Sequence, residues 1–179
     1  MRLALAILLA LPLGAGWFAS APAAAQRHDP LTRKEVDDLR EAAQMPYARA
    51  KLFLGFAHAR LDASEKLHVD PKLQQSRALV EFRRSLDDFA AIVDELDDNL
   101  AAFDDHGADL RAALRAVVDA ETGFQQRLLD IRETLPPAVL QQVNVELASA
   151  TESVDDSLKF SRAMLDQQSE RKRREKTER

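Results

Sequence analysis

The chain has 179 residues, with 25 Lys and Arg against 30 Asp and Glu and a formal net charge of −5. It contains no cysteine, which excludes disulfides, thiolate metal centres and covalently attached c-type haem. A net-acidic chain with one Trp and one Tyr lacks the basic face and the aromatic stacking platform of a nucleic-acid binder.

The N-terminus has the pattern of an export signal. Arg2 is a positive start, Leu3–Leu13 (LALAILLALPL) is an apolar core, and Ala23-Ala24-Ala25 offers small residues for cleavage. Pro12, Gly14, Gly16 and Pro22 interrupt the apolar run, and its unbroken core is short for a membrane span. The expectation is a cleaved signal peptide at 1–25, an exported (periplasmic or extracellular) domain at 26–169 without an integral span, and a charged disordered tail at 170–179.

Every later proline falls where a helix can start or stop. Thr32-Arg33-Lys34-Glu35 is a capping box, predicting a first helix over about Arg33–Gln44 with Val36, Leu39 and Ala43 on one face. Pro46 then begins or kinks a stretch to about Leu67, lined by Leu54, Ala57 and Leu61 with Phe53 and Phe56 beside them. Asp70-Pro71 reads as an N-cap followed by proline at the first helical position. The helix it opens carries an unbroken a/d seam, Leu79, Phe82, Leu86, Phe89, Val93, Leu96, Leu100 and Phe103, ended by His106-Gly107. The next helix continues with Leu110, Leu114, Val117, Glu121, Phe124, Leu128, Ile131 and Leu135, and Pro136-Pro137 stops it. The last, about Ala138–Ser169, is less regular, with Leu140, Val143, Leu147, Ala150, Val154, Leu158 and Leu165.

The third helix spans roughly 50 Å at 1.5 Å per residue, and the others have similar lengths if the first two segments are one rod broken or kinked at Pro46. The fold class expected is therefore all-α, an up-down-up-down four-helix bundle of long helices.

One stretch stands out. Between Ser85 and Leu110 there are nine carboxylates and no Lys or Arg. Asp87, Asp88, Asp94, Glu95, Asp97, Asp98, Asp104 and Asp105 repeat at sevens along the flanks of the seam, so they read as outward-facing. The preferred account is charge complementarity with basic termini at the same pole: Arg33, Lys34 and Arg40, Arg111 and Arg115, and Arg162 with Arg171–Arg174. A docking face for a cationic partner comes second. A divalent-ion site comes last, because hard cations take 6–8 converging oxygens and no D-x-D-x-D-G loop is present.

Glu65-Lys66-Leu67-His68 has the E-x-x-H spacing of di-iron bundles, but only once and at a helix end. Glu121 is a carboxylate at a seam position, which must be paired or protonated if buried. Arg60, His58 and Arg83 are candidates to face it, or a small rotation turns Ala120 inward instead. Gly123 suggests a close helix approach or a bend. His28 and His106 read as exposed. No phosphate loop, nucleophile elbow or zinc motif is present.

DPLTRKEVDDLREAAQMPYARAKLFLGFAHARLDASEKL at 29–67 and FAAIVDELDDNLAAF at 89–103 resemble an uncharacterised family of exported bacterial all-helical proteins. That resemblance implies export and helical architecture, and transfers no activity and no site residue. The function expected is a non-enzymatic interaction or structural module of the cell envelope. It needs no cofactor, would bind a basic protein of the envelope, and leaves self-association open. The alternative is a bundle holding a small ligand or metal in its core near Glu121.

Overall fold

In the computed structural model, residues 28–178 are described. The signal-peptide reading of residues 1–25 lies outside them. The described residues form five α-helices and no strand: α1 (Arg33–Glu41), α2 (Pro46–His68), α3 (Ser76–Asp105), α4 (Arg111–Thr134) and α5 (Pro137–Thr177). None of them is long and apolar enough to cross a membrane.

The capping box forms as expected. Thr32 Oγ1 accepts from the Glu35 N–H at 3.3 Å, and Glu35 Oε2 accepts from the Thr32 N–H at 2.7 Å. The helix then stops at Glu41, and Ala42–Met45 reverse the chain before Pro46 opens α2. The expectation of a single rod is corrected here. Glu35 and Arg60 are 25 residues apart and would stand roughly 37 Å apart along one helix, yet their side chains are bonded at 2.6 Å. The α1 helix folds back on α2. Arg49 holds the turn by donating to the Leu39 carbonyl, and Arg60 also donates to the Pro30 carbonyl at 2.8 Å. Ala42, not Ala43, is the buried alanine of this segment.

Asp70-Pro71 does not open α3. The Asp70 side chain accepts the Lys72 N–H at 2.8 Å, while the Leu73 and Gln75 N–H groups donate three residues back, to Asp70 and Lys72. That tight turn seals the core with buried Leu73, and α3 starts only at Ser76. From there the seam is buried from Leu79 to Leu100, with Phe103 partly covered, and Ile92 and Ala90 widen it. Gly107, at φ +75°, ends α3. Its N–H donates to the Asp104 carbonyl and the Ala108 N–H to that of Phe103, the paired bonds of a Schellman cap.

All eight seam positions from Leu110 to Leu135, the six within α4 and its two flanking leucines, are buried, Glu121 among them. In α5 the expected Val143, Leu147, Ala150, Val154 and Leu158 are buried and Leu140 and Leu165 only partly so, while Ser157, Ser161, Met164 and Gln168 extend the buried line. The helix also continues past Ser169 to Thr177, with Arg174–Glu170 and Lys172–Glu175 pairs along its exposed last turns.

Contacts fix the directions. Arg127 of α4 meets Asp62 and Glu65 of α2, and His68 meets Thr134 further along, so α2 and α4 run parallel. Arg83–Glu146, Asp97–Ser157 and Asp104–Arg171 climb α3 and α5 together, so those two are also parallel. The α2–α3 and α4–α5 pairs are antiparallel hairpins. Successive helices alternate in direction, but α3 and α4 do not pack side by side. The chain crosses diagonally at His106–Leu110, and Phe89 and Phe124 meet edge to face across the core at 5.2 Å.

Candidate functional site

The seam between the two hairpins carries a polar cluster at mid-height. Glu121 sits between Val117 and Phe124 on α4, one heptad position that three and four-residue spacing forces into the core. Ser157 lies on the buried line of α5, three residues past Val154. Asp97 follows Leu96 on α3, just off the seam, and is half-buried. The antiparallel α4–α5 pairing and the parallel α3–α5 pairing bring all three together.

Ser157 Oγ stands 2.6 Å from Asp97 Oδ1 and makes a second hydrogen-bond contact with Glu121 Oε1. Glu121 is 0 % exposed, and its Oε2 has no hydrogen-bond partner; neither has the buried Ser161 Oγ one turn along α5. Burial pushes the Glu121 carboxyl up to about 8, with the Asp97 charge adding and the Ser157 bond and Arg162 opposing. Burial likewise lifts Asp97 to about 6, against the Ser157 bond, with Asp94 and Asp98 adding. Two acids with no ion-pair partner therefore share one hydroxyl in the core.

Arg60, His58 and Arg83, the groups expected to face Glu121, are engaged elsewhere. Arg60 binds Glu35, Arg83 pairs with Glu146 at 3.1 Å, and His58 packs edge-on to Phe124 at 4.6 Å. A rotation placing Ala120 inward does not occur: Glu121 is buried and Ala120 only partly so. Gly123 marks no close approach, since a Cβ there would meet nothing within 4 Å.

The acidic flank divides into three. Asp88 lies 3.4 Å from His28 Nε2 and 3.9 Å from Arg84, and Asp104 takes Arg171 at 2.5 Å and Gln168 Nε2 at 2.8 Å. Asp97 turns inward, which corrects the expectation that the whole set faces out. Asp94, Asp98 and Asp105 are exposed, and no ion pair among the described residues reaches them. Asp87 and Glu95 are exposed as well; burial of part of each carboxyl and neighbouring acids raise both, against Arg83 and Arg49 respectively. Of the helix-one cations expected at this pole, Lys34 is spent on Asp38 and Arg40 on Asp37 inside α1. Arg111 goes to Asp109, whose carboxyl its side-chain bonds hold down at about 2.

The lone E-x-x-H is dismantled: Glu65 pairs with Arg127 at 2.6 Å, and His68 Nε2 bonds Thr134 Oγ1 at 2.7 Å. No group of three or more His, Cys, Asp or Glu among the described residues is placed to hold a metal ion. Sequence reasoning missed Ser157, Ser161 and the inward turn of Asp97. The signal was available in Val154, Ser157, Ser161, Met164 and Gln168, which repeat by threes and fours but are polar at three of five positions. No family model matches the chain, and no curated protein and no solved structure matches it.

Proposed function

We propose that the chain is a non-enzymatic binding module of the cell envelope, exported by the leader at 1–25, whose outer α3 flank docks a cationic protein. In this reading the two hairpins build a four-helix bundle with α1 clasped on its outside, a stiff rod that presents one helix face. The observation that carries it is the set Asp94, Asp98 and Asp105: exposed, on one helix, and outside every ion pair among the described residues. Carboxylates left without internal cations cost helix stability by like-charge repulsion, about 0.2–0.5 kcal/mol for each close pair. They also steer a basic surface toward this face.

Crosslinking in intact cells tests it, comparing the wild type with an Asp94→Asn, Asp98→Asn, Asp105→Asn variant. Salt-sensitive capture of a basic envelope protein that the variant loses is the expected result. Equal capture by both proteins, or none by either, removes the docking reading. A second reading, a small ligand or metal in the core near Glu121, is favoured by the unpartnered Glu121 Oε2. Native mass spectrometry of residues 26–179 from the natural host would show it as added mass.

A further inference from the structure

We propose that Glu121, Ser157 and Asp97 form a proton-binding site. Glu121 holds the proton at neutral pH, Ser157 and Asp97 pass it to solvent, and its loss loosens the seam between the α2–α3 and α4–α5 hairpins.

The geometry itself requires a proton. A serine hydroxyl has one hydrogen to donate, yet Ser157 Oγ is in hydrogen-bond contact with one oxygen of each carboxyl. It donates to one and must accept from the other, which therefore carries a proton. The donor is Glu121. It is fully buried with no ion-pair partner, whereas Asp97 reaches the half-exposed flank where water solvates its charge. The resting chain is Glu121 carboxyl to Ser157 Oγ, and Ser157 hydroxyl to Asp97 carboxylate. The elevated proton affinities of both acids, both raised first by burial, agree with this order.

Release follows the same path. The Ser157 hydrogen moves to Asp97 as the Glu121 hydrogen moves to Ser157, and Asp97 then yields its proton to water. The net change is one proton lost to solvent and one carboxylate left on Glu121. The charged groups acting on that carboxylate come from two helices, α3 and α5. The α5 helix brings Arg162, whose charge favours ionisation, and α3 brings Asp97, itself disfavoured as a charge by Asp94 and Asp98. The α2 helix presents His58 to Phe124 and to an Arg127 nitrogen, 3.1 Å from its Nδ1, rather than to Glu121. On α4 and α5, Gln125 and Asp155 bond each other one turn away. With Asp97 on α3 and Glu121 on α4, ionisation places like charges on opposite hairpins across one seam.

The test uses the mature protein with carbon-labelled glutamate side chains, titrated by NMR from roughly pH 5 to 9, where ordinary carboxyls are already ionised. One glutamate should titrate far above the rest, be absent in Glu121→Gln, and move higher still in Ser157→Ala, which loses the donor that stabilises the carboxylate. Amide exchange along α4 and α5 at the seam should quicken at least ~10-fold from neutral to alkaline pH in the wild type relative to Glu121→Gln, which mimics the protonated acid. The proposal is overturned if Glu121 titrates with the other glutamates. It is equally overturned if exchange in wild type and Glu121→Gln rises with pH in parallel, or if native mass spectrometry finds an ion seated where the proton should be.

Discussion

Glu35 and Glu121 are glutamates taken out of water in opposite ways. Glu35 meets Arg60 in a bidentate pair whose side chains are 14 % and 17 % exposed respectively. Burial would push its carboxyl up, but the Arg60 bonds, with those of Thr32, outweigh burial and hold it below the ordinary range. Glu121 is more deeply buried and is offered a hydroxyl and a second acid in place of a cation. The first arrangement fastens a short helix to the outside of the molecule and works best ionised. The second works best neutral. Burial alone decides neither state; the partner does.

The contrast breaks most visibly with pH. The Glu121 carboxyl is raised in the fold, from 4.5 to about 8, so its contribution is fully present below the unfolded value and is lost as pH rises through the folded one. At ~1.4 kcal/mol per unit that loss is on the order of 5 kcal/mol across the window. Chemical denaturation between mildly acidic and alkaline pH should show it, and Glu121→Gln should flatten the curve. Glu35 has the reverse sign: its contribution is present above the unfolded value and fades as pH falls through the lowered one.

Removing the cation should turn the first site into a version of the second. Arg60→Ala takes the guanidinium from Glu35, which keeps the Thr32 N–H, and from the Pro30 carbonyl, a loss of about 3 kcal/mol. Near-neutral denaturation should report that loss, and protease sensitivity near Met45 should rise as α1 detaches. A smaller effect is expected at Gly107. Its φ of +75° suits no alanine, so Gly107→Ala should cost about 1 kcal/mol in thermal melts and weaken the crossing that sets the hairpins face to face. The mildest is Asp98→Asn, which removes one of the charges that raise Asp97. It should lower the Asp97 titration by NMR while changing stability by under ~0.5 kcal/mol.

Much of this was legible in advance where one residue type at one spacing has a single physical outcome. The capping box at Thr32 and the α3 seam follow from period and polarity; period put Glu121 on the α4 seam, while its polarity left open whether Ala120 turned inward instead. The fold-back of α1 was not legible, because Pro46 states only that a helix begins there. What reverses the chain is Arg60 finding Glu35 from 25 residues away. The serine bridge was hidden for another reason. Small polar residues are buried at Ser157 and Ser161, so hydrophobicity picked out the buried Leu158 beside them and gave no signal for the serines themselves. Asp97 looked like its exposed neighbours because the serine that meets it carries no hydrophobic signal.

The diagonal crossing at His106–Leu110 also orders events in time. Each hairpin closes over a short connection and can form early, within its own stretch of chain. Contacts of α3 with α5 and of α2 with α4 join residues some 60 positions apart. The α2–α4 contacts must therefore wait for α4, and the α3–α5 contacts for α5. The last step of assembly is thus the meeting of two finished halves, and the Asp97–Ser157–Glu121 cluster lies on the surface where they meet. With that cluster neutral the two halves meet without an unpaired charge between them, so refolding should run faster at mildly acidic than at alkaline pH.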